Sequence, residues 1–184
     1  MSDRGSRAWA RAGLVILAIG AAAPAVAQEP LEDGLYRITR SGTRRAQVVP
    51  VFETERLLIH DGRYLEPDPT RENELVVVGV SPDARLTLAA EPETIQDEHG
   101  RAGVRARLGP RTLASLEELA RKHPSAGIAL VLDGEVVVTR RLKETRDTGV
   151  IDVVGCPDAV CGLLQQHLRG RVEPASRPAV QGGE

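Results

Sequence analysis

Aromatic side chains are almost missing from this chain: one Phe, one Trp and two Tyr in 184 residues. So few rings leave few platforms on which sugars or bases could stack, and the core has to be aliphatic. No cysteine precedes Cys156, which excludes a lipid-modified N-terminus, and Cys161 is the only other one. Neither sign of charge dominates: 24 Lys and Arg face 26 Asp and Glu, spread evenly. That balance offers no electrostatic footprint for nucleic acid. No segment beyond residue 27 is apolar for long enough to span a bilayer. A Gly-x-Ser-x-Gly elbow, a Gly-rich phosphate loop and an H-E-x-x-H helix are all missing, as is any repeat at a period of 20–50 residues.

The first 27 residues carry the clearest positive signal. Arg4, Arg7 and Arg11 precede an apolar run from Ala12 to Ala23, which closes on Ala25-Val26-Ala27 before Gln28. A positive flank, a short apolar stretch and small residues before the cut are what export and signal peptidase require, so cleavage is expected between Ala27 and Gln28. An uncleaved anchor is the alternative, but about 12 to 16 apolar residues fall short of the roughly 20 a transmembrane helix needs. Removing residues 1–27 takes away three arginines and Asp3, leaving 21 basic and 25 acidic side chains and a net charge of −4. The expected location is the periplasm or the medium, with no stable membrane span.

Residues 28–74 read as a β-rich segment in which short apolar islands (Leu35, Ile38, Val48, Val49, Val51, Leu57-Leu58-Ile59) are broken at Ser41-Gly42, Asp61-Gly62 and Pro67-Asp68-Pro69. Residues 75–170 read as an α+β domain. Strands are expected over 75–80 and 85–90, and the polar stretch 91–103 reads as a loop. Val104, Ala106 and Leu108 alternate with Arg105 and Arg107, the pattern of a strand with one buried face. Gly109-Pro110 opens a helix whose stripe is Leu113, Leu116, Leu119 and Ala120, and Pro124 ends it. Two strands flank Asp133-Gly134, a dipeptide suited to the two positive φ angles of a type I′ hairpin turn. A strand over 149–154 is followed by a second helix from Pro157, with Val160, Cys161, Leu164 and Leu168 on one face and Gly170 at its end. The expected fold class is therefore α+β, a mainly antiparallel sheet with two helices packed on one face. Residues 171–184 read as a disordered tail.

From Leu75 to Leu168 this order of words resembles the first periplasmic head subdomain of SecD/SecDF, the accessory subunit of the bacterial Sec translocase. The resemblance rests on Gly103-Val104-Arg105-Ala106-Arg107-Leu108, on Leu116-Glu117-Glu118-Leu119-Ala120, on residues 127–137 with their Asp-Gly turn, and on Gly149-Val150-Ile151-Asp152-Val153-Val154-Gly155. It departs at Thr139-Arg140-Arg141, where the family has a small-residue and proline step, and in lacking the family's membrane helices. The resemblance implies an extracytoplasmic, non-catalytic domain in contact with exported or unfolded polypeptide, or with the translocation machinery. It transfers no catalytic residue and no cofactor.

Cys156 and Cys161 admit three readings. In an oxidising compartment the pair reads first as a disulfide. If the second helix starts at Pro157, however, the Cα atoms stand about 8 to 9 Å apart, beyond the roughly 7 Å a bridge allows. Bonding then requires a later helix start or a distorted first turn. The others are two buried thiols, or a reactive thiol at a helix N-terminus and hence an envelope thiol oxidoreductase. A hydrolase is the other enzyme alternative. The scattered His60, His99, His123 and His167 form no metal spacing, and no metal ligand is assigned. Arg140 and Arg141 are the one local basic patch, read as a solvated strand end and as a candidate interaction edge, since an unpaired strand can accept an extended peptide. A purely structural domain, docked to another envelope component by its N-terminal segment, is the remaining reading.

Overall fold

Residues 30–70 and 72–174 are described by a computed structural model. The expected signal peptide, its cleavage site at Ala27 and Gln28, and residues 175–184 lie outside them. In chain order the strands are β1 (Gly34–Ile38), β2 (Arg40–Gly42), β3 (Glu55–His60), β4 (Glu74–Gly79), β5 (Ala84–Arg85), β6 (Glu93–Gln96), β7 (Ala102–Arg107), β8 (Gly127–Leu132), β9 (Glu135–Arg141) and β10 (Val150–Val154). The helices are α1 (Pro110–Lys122), α2 (Leu142–Thr148) and α3 (Asp158–Arg169). This is an α+β fold with three sheets, ordered β5-β1-β8-β9, β10-β7-β6 and β2-β4-β3, and every strand pairing is antiparallel.

Strand β8 shows why one apolar run organises so much. Side chains alternate across a strand. Ile128, Leu130 and Leu132 enter the main core, while Ala129 and Val131 enter a second core on the other face. The main core is completed by Val104, Ala106, Ile151 and Val153 from the β10-β7-β6 sheet, by Leu116 and Ala120 of α1, by Leu142 of α2, and by Cys161, Leu164 and Leu168 of α3. The second core sets Tyr36, Ala129, Val131 and Val136 against Val76 and Val78 of β4. Between β1 and β2 the chain crosses from one sheet to the next, and Thr39 N donates to Val77 O at 2.9 Å on the way. Strand β3 then lies against β9, so the two sheets wrap the second core.

Helix α1 follows the expected stripe, with one addition. Thr112 is buried; its Oγ1 accepts from Thr87 N at 2.9 Å and donates to Arg85 O at 2.8 Å, fastening the first turn to the β5 segment. The approach is close enough that a Cβ on Gly109 would stand 2.6 Å from Thr87 Oγ1. At the hairpin tip Asp133 and Gly134 take φ of 51° and 78°, the type I′ pair.

The expected α+β class with antiparallel pairing holds, and the detail differs in four places. There are three sheets rather than one, because the N-terminal strands pair in two directions: β1 with β8, and β2 with β4. The stretch 91–103 contains β6, an outer strand bonded to β7 through its backbone, which leaves Glu93, Thr94 and Gln96 in solvent and so carries no apolar alternation. A third helix, α2, occupies the basic stretch after β9. It buries Leu142 and Thr145 and stops at Gly149 in the left-handed region, φ 65°. The tail is ordered at its start: Leu88 N donates to Arg171 O and Glu173 N to Leu88 O, both at 2.9 Å.

Truncating Leu130 to Ala should cost about 2–5 kcal/mol of unfolding free energy, because the cavity opens in the layer shared by sheet and helices. Urea unfolding followed by circular dichroism measures it.

Candidate functional site

Two places collect polar side chains from distant parts of the chain. The first is centred on Asp33, whose side chain is only 6% exposed. Its Oδ1 accepts from the backbone N of Asp133 at 2.8 Å, which ties the start of β1 to the hairpin turn. Its Oδ2 meets His167 Nε2 at 2.5 Å and accepts from Arg171 Nη2. The other ring nitrogen of His167, Nδ1, faces Asp133 Oδ2 at 3.3 Å. Burial pushes the Asp33 carboxyl up. The His167 hydrogen bond, the Asp133 N–H and the charges of His167 and Arg171 outweigh it and hold the carboxyl below its ordinary range.

Asp33, Asp133 and His167 place one ligand atom each within 4.8 Å of one another. Yet Arg171 already supplies a cation to the Asp33 oxygen that a metal would use, and both His167 nitrogens face carboxylates. Chemically the group is a clamp joining three elements. Beside it a groove of about 480 Å³ is lined by Tyr64, Leu132, Leu163, Leu164, Gln166 and His167. The Tyr64 hydroxyl donates to Glu135 Oε2 at 3.3 Å, and burial with the Glu135 charge raises its pKa to about 12, so it remains a donor.

The second place is a cleft of about 960 Å³ at the end of the four-stranded sheet, where β1 leaves, β8 enters and β9 leaves. It gathers Arg37, Arg40, Lys122, His123, Arg140 and Arg141 around two acidic side chains, Glu74 and Glu144. Arg40 pairs with Glu55, and Lys122 with Glu118 at 2.8 Å. Arg140 Nη2 donates to Asp152 O at 2.7 Å, crossing from β9 to β10. The guanidinium groups of Arg37 and Arg141 have no ion-pair partner among the described residues.

The basic pair read from the sequence thus lies on this cleft. Strand β9 is the last hydrogen-bonded strand of its sheet, with β3 lying near it and α2 following directly. Cys156 and Cys161 lie at disulfide distance, Cα to Cα 5.5 Å, because α3 begins at Asp158 and leaves Cys156 outside the helix. Both are buried in the main core. Asp97 near His99 accepts from the backbone N of His99 and of Arg101, so it organises a turn.

Asp33, Arg171, Arg37 and Lys122 were not picked out from the sequence. Asp33 and His167 are 134 positions apart, and no local spacing signals such a pair. No helix among the described residues is long and apolar enough to cross a membrane. Neither a family model, nor a curated protein, nor a solved structure matches this chain.

Asp33 titrates below its unfolded value, so it contributes stability that is present above about pH 4 and is lost as pH falls through the folded-state pKa. Asp33→Ala should cost about 1–3 kcal/mol at neutral pH by stranding its donors. It should also flatten the acid limb of a plot of thermal midpoint against pH. Reducing the Cys156–Cys161 bond should cost about 2 kcal/mol, the loop-entropy value for so short a loop. Denaturant melts with and without reductant would register that loss as a shifted midpoint on an otherwise intact fold.

Proposed function

We propose that this chain is an exported, non-catalytic interaction module that holds an extended acidic stretch of exported or unfolded polypeptide in the cleft at the end of its four-stranded sheet. The observation that carries the reading is the charge of that cleft. A chain expected to bear a net charge of −4 after cleavage gathers five Arg and Lys side chains and His123 there around two acidic ones, and of the five only Arg40 and Lys122 are in ion pairs among the described residues. Like charges are not brought together without cost, and a cleft of one sign draws in ligands of the other. Arginine forks bind carboxylates in two-pronged geometry, and Arg37 and Arg141 are free to do so.

Two further points support the proposal. The sequence resembles the SecD/SecDF head over 75–168, which implies contact with polypeptide rather than catalysis. The N-terminal signal implies an extracytoplasmic location, periplasmic or secreted. The competing reading, an envelope thiol oxidoreductase, would rest on Cys156 and Cys161. Both lie in the core, where a partner thiolate has little access to them.

Fluorescence anisotropy with a labelled, unfolded acidic peptide tests the proposal. The Arg140→Glu, Arg141→Glu double variant should bind about tenfold more weakly, and wild-type binding should weaken with salt. The single Arg141→Glu variant, which leaves the Arg140–Asp152 contact intact, should lose a smaller part. Equal affinity in all three proteins would overturn the reading.

A further inference from the structure

We infer that the 49–52 tip between β2 and β3 docks onto the surface of an anionic membrane. The inference is separate from the polypeptide proposed for the cleft. Phe52 is the chain's only phenylalanine, and it stands 64% exposed, with Val49 at 54% and Val51 at 68%. In a chain so poor in aromatics, leaving the one phenylalanine in water forgoes one of the largest burial terms available.

The exposure is built into the loop. Glu55 is buried, and its Oε2 accepts from Val51 N at 2.8 Å and Phe52 N at 3.2 Å. Glu55 N donates to Phe52 O at 3.0 Å. Arg56 Nη1 donates to Glu53 O and Glu55 O, both at 3.0 Å. The neighbouring Val48 is buried with Leu57, Leu75 and Val77 and pins the other side. The N–H groups of Val51 and Phe52, the charge of Arg40 and its hydrogen bond keep the Glu55 carboxyl below its ordinary range despite its burial. The turn is thus held by its own backbone contacts, and its apolar side chains point outward.

Charge gives the direction of the partner. Arg44 and Arg45 are exposed and have no ion-pair partner among the described residues, and Glu53 is the only acidic residue over 43–54. Apolar side chains backed by free cations match the boundary between acyl chains and anionic headgroups. A protein partner fits less well, since a stable interface takes about 800 Å² from each side, more than three side chains in four residues supply. Arg40, which holds Glu55, also lines the cleft, so the loop is tied to that end of the molecule.

The test uses the chain starting at Gln28, which keeps every described element and removes the signal segment with Trp9. Phe52→Trp then places the only indole of that chain at the tip. Its emission should shift to the blue on vesicles of phosphatidylglycerol in phosphatidylcholine, and far less on phosphatidylcholine alone. In co-sedimentation, Phe52→Ser should lower partition about tenfold. Arg44→Gln, Arg45→Gln should lower it to a similar degree on the anionic vesicles only. The arginine variant keeps the apolar tip, so the two variants probe the inference separately. No blue shift on anionic vesicles, or equal partition of wild type and both variants, would overturn it. So would a shift produced by protein partners but not by vesicles.

Discussion

Everything in this molecule hangs on burying both faces of β8. A strand with one wet face needs only alternate apolar residues. This one is apolar almost throughout because sheets and helices close over it from both sides. Ile128, Leu130 and Leu132 draw α1, α3 and the β10-β7-β6 sheet onto one face, while Ala129 and Val131 draw the β2-β4-β3 sheet onto the other. With so few rings available, packing rests on branched aliphatics. Interdigitated at close-packed density, they make the core sensitive to the loss of single methylenes.

Electrostatics is arranged around that core in two ways. Two shielded carboxylates are well paired: Asp33 by His167, Arg171 and a backbone N–H, and Glu55 by Arg40 and two backbone N–H groups. Such groups hold segments in place, since a buried charge without partners is far costlier than a paired one. At the surface the opposite holds. Among the described residues Arg37, Arg141, Arg44 and Arg45 have no acidic partner; the first two lie on a cleft, and the other two precede the apolar tip in the chain. Clamped carboxylates lock the frame, and free guanidinium groups face outward from it.

Much of the second half was legible in the sequence. The Val104/Ala106/Leu108 alternation, the Gly109-Pro110 helix start, the Asp133-Gly134 turn and the α3 stripe all depend on neighbours within a few positions. Their physics is local, so their pattern is too. The short helix α2 and the outer strand β6 were not legible. The first buries only Leu142 and Thr145, and the second pairs with β7 through its backbone while three of its four side chains are exposed, so it shows no apolar alternation. Of the candidate site residues, Arg140 and Arg141 stood out as a basic run. Asp33, Arg37 and Glu55 looked like ordinary charged residues among many.

By itself the sequence determined the fold class, the hairpin, the two amphipathic helices and an aliphatic core, because each follows from composition or from periodicity over a few residues. Only the tertiary structure decided that β1 joins the hairpin, that the N-terminal strands enclose a second core, and that Asp33 meets His167. It also decided that the chain's one phenylalanine stays in water. These outcomes depend on which distant segments pay the entropy of coming together, and no local pattern encodes that choice.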